Sequence, residues 1–176
     1  TPPVPSTLGL KDFHNYNLAD LVERIDWTPF FRTWELAGAY PQILKDPVVG
    51  EAAEKLFADA QEMLKQIVNE KWLSANAVIG FFPANSIGDD IEIYHDNSRT
   101  KLLATFHFLR QQMAKRDNKP NLCLSDFVAP KETNIADYIG GFAVTTGLNI
   151  EAKLSNFKLK HDDYSEILLK ALADRL

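Results

Sequence analysis

Ala77-Val78-Ile79-Gly80-Phe81-Phe82-Pro83-Ala84-Asn85-Ser86-Ile87-Gly88-Asp89-Asp90-Ile91-Glu92-Ile93-Tyr94 is the stretch that places strands in this chain. Residues 77–82 form a short apolar run, and Ile91-Glu92-Ile93-Tyr94 alternates with the period of two that a half-buried strand requires. Residues 83–90 between them are rich in turn formers, so the stretch reads as two strands joined by a shaped loop. Working outward, Leu102 to Leu109 fits a third strand. Leu103, Thr105, His107 and Leu109 would share one side, and Leu102, Ala104, Phe106 and Phe108 the other. A helix is the rival reading, because the β-propensity of the aromatics separates the two only weakly. Tyr138 to Thr145, with Gly140-Gly141 inside, reads as a further buried strand with a close backbone approach.

Helices flank these strands. Asp46-Pro47 starts the clearest one, with Asp46 as N-cap and Pro47 at the first helical position. Val49, Ala53, Leu56, Phe57, Ala60, Leu64 and Ile67 follow the 3.6-residue period, and Glu51, Glu54, Lys55, Asp59, Glu62 and Lys65 supply the solvated face. Nearer the start, Trp27, Phe30, Phe31 and Trp34 fall within eight residues. Leu18 to Arg24 reads as a short turn or helix, and Pro29 to Leu36 as a helix opened by its proline, with the aromatics spaced for core packing. The last segment begins at His161-Asp162-Asp163, and Tyr164, Ile167, Leu168, Ala171 and Leu172 form an amphipathic stripe. No Gly, Asn or Pro closes it before Leu176, so the expectation is a chain cut inside a helix. The opening, Thr1-Pro2-Pro3-Val4-Pro5-Ser6-Thr7, has three prolines in its first five residues and reads as a semi-extended linker or a simple flexible terminus.

The composition excludes several classes. In 176 residues the apolar share is 45% and the charged share 24%, the balance of a globular chain with its own core. No run of apolar residues is long enough for a membrane span, and no secretory signal is visible. The net charge of −5 argues against a phosphate-binding surface, and the densest basic stretch, Arg110 to Lys119, is diluted by Gln111, Gln112 and Asp117. Cys123, the lone cysteine, cannot pair internally; it suits a reducing compartment and reads as a small buried hydrophobe.

Few residues stand out as chemistry. His14, His95, His107 and His161 are scattered, with none at metal-pair spacing. The usual nucleophile elbow and phosphate-cradling glycine motifs are missing from the sequence. Asp89-Asp90 could hold a cation or act as paired acid and base, but reads more simply as solvated turn acids. Asp26 is different. It lies in Ile25-Asp26-Trp27, between an apolar segment and an aromatic cluster, where a buried carboxylate is costly without a partner. It could cap the helix that Pro29 begins, or accept hydrogen bonds from a ligand's ammonium or hydroxyl groups.

Several strings together resemble one family. Ile25-Asp26-Trp27-Thr28-Pro29-Phe30-Phe31 and Trp34-Glu35-Leu36-Ala37-Gly38 resemble the start of the reactivation domain of cobalamin-dependent methionine synthase. So do Gly80-Phe81-Phe82-Pro83-Ala84-Asn85, Gly88-Asp89-Asp90-Ile91-Glu92-Ile93-Tyr94 and Leu109-Arg110-Gln111-Gln112. Cys123-Leu124-Ser125-Asp126-Phe127-Val128-Ala129-Pro130, Asp137-Tyr138-Ile139-Gly140 and Lys170-Ala171-Leu172-Ala173-Asp174-Arg175-Leu176 complete the set. The strings come in the family's order and cover nearly the whole chain from about residue 20. The resemblance implies a C-shaped α+β domain, with helices packed on a mainly antiparallel twisted sheet. It also implies a role in a cytoplasmic methyltransferase of methionine biosynthesis. There the domain binds S-adenosylmethionine and reactivates cob(II)alamin by reductive methylation, supporting methyl transfer from 5-methyltetrahydrofolate to homocysteine. The implied partners are the cobalamin-binding domain of the same chain and a flavodoxin or flavoprotein reductase; zinc belongs only elsewhere in the parent enzyme. The protein supplies binding and orientation rather than a catalytic side chain.

By the family's pattern, Asp26 matches a carboxylate that contacts S-adenosylmethionine. The family's main motif for that ligand, Arg-x-Pro-x-x-Gly-x-Pro, does not occur in these residues. The expectation is therefore a linker over residues 1–17 from an upstream cobalamin-binding domain, then the N-terminal part of the activation domain over 18–176, with an incomplete site. Asp174 and the carboxylates near Asp162 could face the cobalamin domain, or form a solvated helix face. The alternative is a non-catalytic interaction module that docks on a corrinoid domain or a flavodoxin-like reductase. The stripe of Tyr164, Ile167, Leu168, Ala171 and Leu172 separates the two: without cover inside the chain, it needs missing polypeptide or a second copy.

Overall fold

Alternation along residues 91–94 and the apolar run before them do produce strands, but longer ones than the sequence marks. A computed structural model describes residues 1–116 and 119–176, so Asp117 lies outside the described residues. Its strands are β1 (Gly9–Phe13), β2 (Ser74–Ile87), β3 (Asp90–Tyr94), β4 (Leu102–His107) and β5 (Asp137–Leu148). Its helices are α1 (Ala19–Val22), α2 (Trp27–Thr33), α3 (Gly50–Asn69), α4 (Ile150–Leu159) and α5 (Asp163–Ala173). The sheet runs β1-β2-β3-β4, with β5 paired to β2. The β2–β3 and β3–β4 pairs are antiparallel, as the α+β reading expects. The segment read as a linker, residues 1–17, contains β1.

The shaped loop expected at residues 83–90 is mostly strand. β2 continues through Pro83 to Ile87, and the hairpin closes over Gly88 and Asp89, with Ile87 facing Asp90. Pro83 falls one residue before the first registered pair, Ala84 with Ile93, so the β2–β3 ladder loses nothing to its missing N–H. Gly88 takes φ +58, the left-handed conformation that a residue without Cβ adopts cheaply at a turn.

The chain divides into two compact units. One holds residues 1–12 and 78–143, the other 13–77 and 144–176. In the first, Ala84, Ile91, Ile93 and Val128 form a small core, with Phe82, Phe108 and Ile139 packed against it. β5 contradicts the expectation of a buried strand, since Gly140 to Val144 are exposed. The close approach at Gly140 is real but made by a side chain: a Cβ there would stand 2.8 Å from a Phe81 ring carbon, while Gly141 is open.

The second unit is helical. α3 is amphipathic as its period predicts, burying Ala53, Leu56, Ala60, Met63, Leu64 and Ile67. The expected start at Asp46-Pro47 is corrected: α3 begins at Gly50 with Val49 as its N-cap, and Asp46 instead closes the turn before it, accepting from the N–H groups of Val48 (2.8 Å) and Val49 (3.0 Å). α2 starts at Trp27, two residues before Pro29. Proline is still tolerated there, because first-turn N–H groups have no partner within the helix. Trp27, Phe30 and Phe31 are buried as their spacing requires, with Trp27 edge-on to Phe30 (5.2 Å) and Phe57 (4.8 Å). The α5 stripe is largely covered within the unit: Leu168, Ala171 and Leu172 are buried, while Tyr164 and Ile167 stay partly exposed.

Candidate functional site

Asp26 stands where the chain enters α2. Its neighbours Ile25 and Trp27 are buried in the helical core, and Asp26 between them is exposed. The expectation of a carboxylate drawn into apolar surroundings is thus corrected: successive residues in extended backbone point to opposite sides, so two apolar anchors turn the acid outward. Its φ of −79 and ψ of 107 are those of an N-cap, and Oδ1 accepts the N–H of Thr28 at 3.1 Å. The hydroxyl of Thr28 in turn accepts the N–H of Tyr40 at 3.2 Å. Asp26 is therefore a carboxylate fixed by its own helix and open to a cationic or hydrogen-bond-donating ligand from the solvent side.

Three cavities of this unit are lined by other residues. One, of about 450 Å³, is lined by Tyr16, Asn76, Thr145, Thr146, Asp174 and Leu176 among others, and Asp26 does not border it. Asp174 thus lines this cavity at the end of α5, where Thr146 donates its hydroxyl to the Ala173 carbonyl at 2.7 Å. Asp174 itself is exposed and pairs with Arg175. Asp162 has a local task as the N-cap of α5, accepting the Ser165 N–H at 3.0 Å.

The paired turn acids are more than solvated. Asp89 accepts from Arg110 at 2.7 Å, and the same guanidinium grips both oxygens of Asp126 at 2.7 Å. That grip, with the Cys123 N–H, holds the Asp126 carboxyl down to about 2. Asp90 meets Nδ1 of His107 at 2.9 Å. These contacts tie the β2–β3 turn to the segments at 110 and 126, which is structural work. Cys123 is buried as expected, its thiol 3.6 Å from the Asp89 carbonyl. Among the described residues no three His, Cys, Asp or Glu side chains gather at metal-binding distance.

Sequence reasoning missed a polar hub in the first unit. Asn85, buried, donates to the carbonyls of Ala129 and Ile135, both at 2.9 Å, and accepts from Arg99 at 2.8 Å. Arg99 also donates to the Ala84 and Asp137 carbonyls, and its guanidinium lies 5.8 Å from the Tyr94 ring centre and 5.5 Å from that of Tyr138. Nearby, Glu92 accepts from Lys131 (2.7 Å) and the Tyr94 hydroxyl (2.6 Å). The lysine, then the phenol, hold its carboxyl below the usual range. No signal marked it: Asn85 falls in the segment that reads as a turn-rich loop, and its partners are far away in sequence.

Comparison with known proteins places this geometry. A family described as vitamin B12 dependent methionine synthase, activation domain, matches residues 17–176. A crystal structure of the MetH reactivation domain bound to AdoHcy is 52% identical to this chain, with a TM-score of 0.89 over 99% of it. The match covers 53% of that structure's chain, so this chain spans about half of its length. A family match over more than nine-tenths of the chain, with the fold reproduced at 52% identity, makes this chain a member of the activation-domain family of vitamin B12-dependent methionine synthases.

Proposed function

We propose that this chain is the N-terminal part of an activation domain that binds S-adenosylmethionine for the reductive methylation of cob(II)alamin, and that Asp26 contacts the ligand. The observation that carries the reading is the exposed, helix-anchored Asp26 carboxylate in a chain 52% identical to a domain solved with AdoHcy. When bound, S-adenosylmethionine supplies a methyl group from a cationic sulfonium, with the cobalt of a neighbouring cobalamin domain as its acceptor. Asp26 suits such a ligand: with Oδ1 engaged by Thr28, the side chain is held in one orientation and accepts hydrogen bonds from a cationic amino group. One open carboxylate is only part of a site. The remaining donors and walls belong to the rest of the domain, which the shared half-length supports. The cobalamin domain of the parent chain, a flavodoxin or flavoprotein reductase, and a cytoplasmic setting complete the proposal.

The test is calorimetric titration of S-adenosylmethionine into this chain and into a version extended by the rest of the domain. Asn caps a helix as well as Asp does, so Asp26→Asn removes the charge and keeps α2. Binding to the extended chain should weaken at least about tenfold in Asp26→Asn, the value of a lost charged hydrogen bond, with the melting temperature unchanged. Equal affinity of the two proteins refutes the role of Asp26. No binding to the extended wild-type chain refutes the proposed function.

A further inference from the structure

Part of one face of the sheet in the first unit, beside its small core, stays open among the described residues. Val78, Gly80 and Phe82 of β2, Ile93 of β3 and Phe106 of β4 line a shallow cavity of about 280 Å³ with no charged side chain in its wall. In its wall Phe142 is 78% exposed and Leu10 71%, with Leu103 and Phe106 close to half exposed. Isolated apolar residues on a surface need no explanation, but a contiguous patch of this kind does. The strand beside it is equally unprotected. Among the described residues β5 pairs only with β2, which leaves its other edge open. Edge strands are normally guarded by lysine, proline or a bulge, yet between Asp137 and Leu148 there is no Lys, Arg or Pro. Asp137-Tyr138-Ile139-Gly140-Gly141-Phe142-Ala143 has the composition of an interior strand.

We infer that the β5 edge and the adjoining apolar face are the seat of the remainder of the activation domain, which adds a strand to β5 and fills the cavity with apolar side chains. The inference rests on the reading of this chain as part of that domain. Its occupant follows from the comparison: 99% of this chain superposes at a TM-score of 0.89 on 53% of a chain described as one domain. A domain shares a continuous core, so the other part of that chain must pack on this one. The helical unit has largely closed its own core, including the α5 stripe. The open part of the sheet face, where an apolar cavity adjoins the β5 edge, is the surface assigned to it.

The experiment compares this chain with its extended version, using Phe142→Asp, Leu103→Lys and, as a control in the helical unit, Val48→Asp, a residue 88% exposed. In the 176-residue chain all three should melt close to wild type. In the extended chain Phe142→Asp and Leu103→Lys should lower the melting temperature by at least about 4 °C, the shift expected for charging a buried apolar contact, with Val48→Asp still neutral. Hydrogen exchange supplies a readout without mutation: amides of residues 137–143 that exchange fast in this chain should be protected in the extended one. Equal exchange, with both variants neutral in the extended chain, overturns the inference; if that chain still binds S-adenosylmethionine, the functional reading survives. A dimer of the 176-residue chain that Phe142→Asp dissociates would make a second copy the occupant, and overturn the inference too.

Discussion

Replacing Asn85 with alanine should cost about 3 kcal/mol, although the residue touches no proposed ligand. Asn85 is 4% exposed and commits both amide hydrogens and its carbonyl oxygen to three partners: two carbonyls at 2.9 Å and the Arg99 guanidinium at 2.8 Å. Two neutral hydrogen bonds at about 1 kcal/mol each and one charged bond at about 1.5–3 give an upper figure near 4–5. Two partners keep other bonds, which brings it down. The Ala129 carbonyl still accepts from the Ser86 N–H at 3.1 Å, and the same Arg99 nitrogen still reaches the Ala84 carbonyl at 2.9 Å. For a chain of this size about 3 kcal/mol corresponds to a fall in melting temperature of roughly 6–12 °C. The assay must see the right unit. Trp27, Trp34 and Trp72 all lie in the helical unit, so tryptophan fluorescence reports on the wrong half, and far-UV circular dichroism with hydrogen exchange across residues 84–94 is needed. Asn85→Asp keeps an acceptor for Arg99 but turns a carboxylate toward two carbonyl oxygens, so it should do no better than alanine. A shift under about 2 °C for Asn85→Ala would refute the hub.

Two further outcomes follow from the contacts. The Asp126 carboxyl is held at about 2, below the ordinary carboxylate range, first by Arg110. Its contribution is complete above the unfolded pKa near 4 and is lost as pH falls toward about 2. The stability difference between wild type and Asp126→Asn, read from urea midpoints, should therefore be constant above pH 5 and close between about pH 4 and 2. Phe31 is fully buried, with ring centres of Phe30 at 5.6 Å and of Tyr40 and Phe57 at 6.3 Å. Phe31→Ala should cost about 3–5 kcal/mol by fluorescence-monitored denaturation, and a cost near 1 would mean the aromatic cluster collapses around the gap.

The helices were more legible than the sheet, for a physical reason. A helix face repeats over many residues, so α3 and α5 could be read from their apolar stripes, and the aromatics of α2 from their spacing, without knowing what covers them. Strand ends depend on partners. Pro83 looks like a breaker in the sequence, but it sits just outside the β3 register, where the β2–β3 ladder loses no bond. The apolar run at 138–145 correctly signals a strand and misleads about burial, because composition reports that a surface suits an interior, not that this chain supplies the cover. The Asn85 hub was invisible because its partners at 99, 129 and 135 meet it only after folding.

Asp26 shows why residue logic alone left two readings open. A cap and a ligand contact ask for the same thing, a short acidic side chain at a helix start with apolar neighbours, and they do not compete. Capping takes one oxygen of a carboxylate and fixes its torsion; a ligand needs an acceptor already held in place. The burial of Ile25 and Trp27 on either side makes the position stiff, while the exposure of Asp26 makes it accessible. The cap is thus part of what preorganises the carboxylate, and Asp26→Ala would confound the two roles by fraying α2 and removing the charge together. Only a substitution that preserves the cap isolates the charge, so the asparagine variant, rather than alanine, decides whether Asp26 belongs to the ligand or only to its helix.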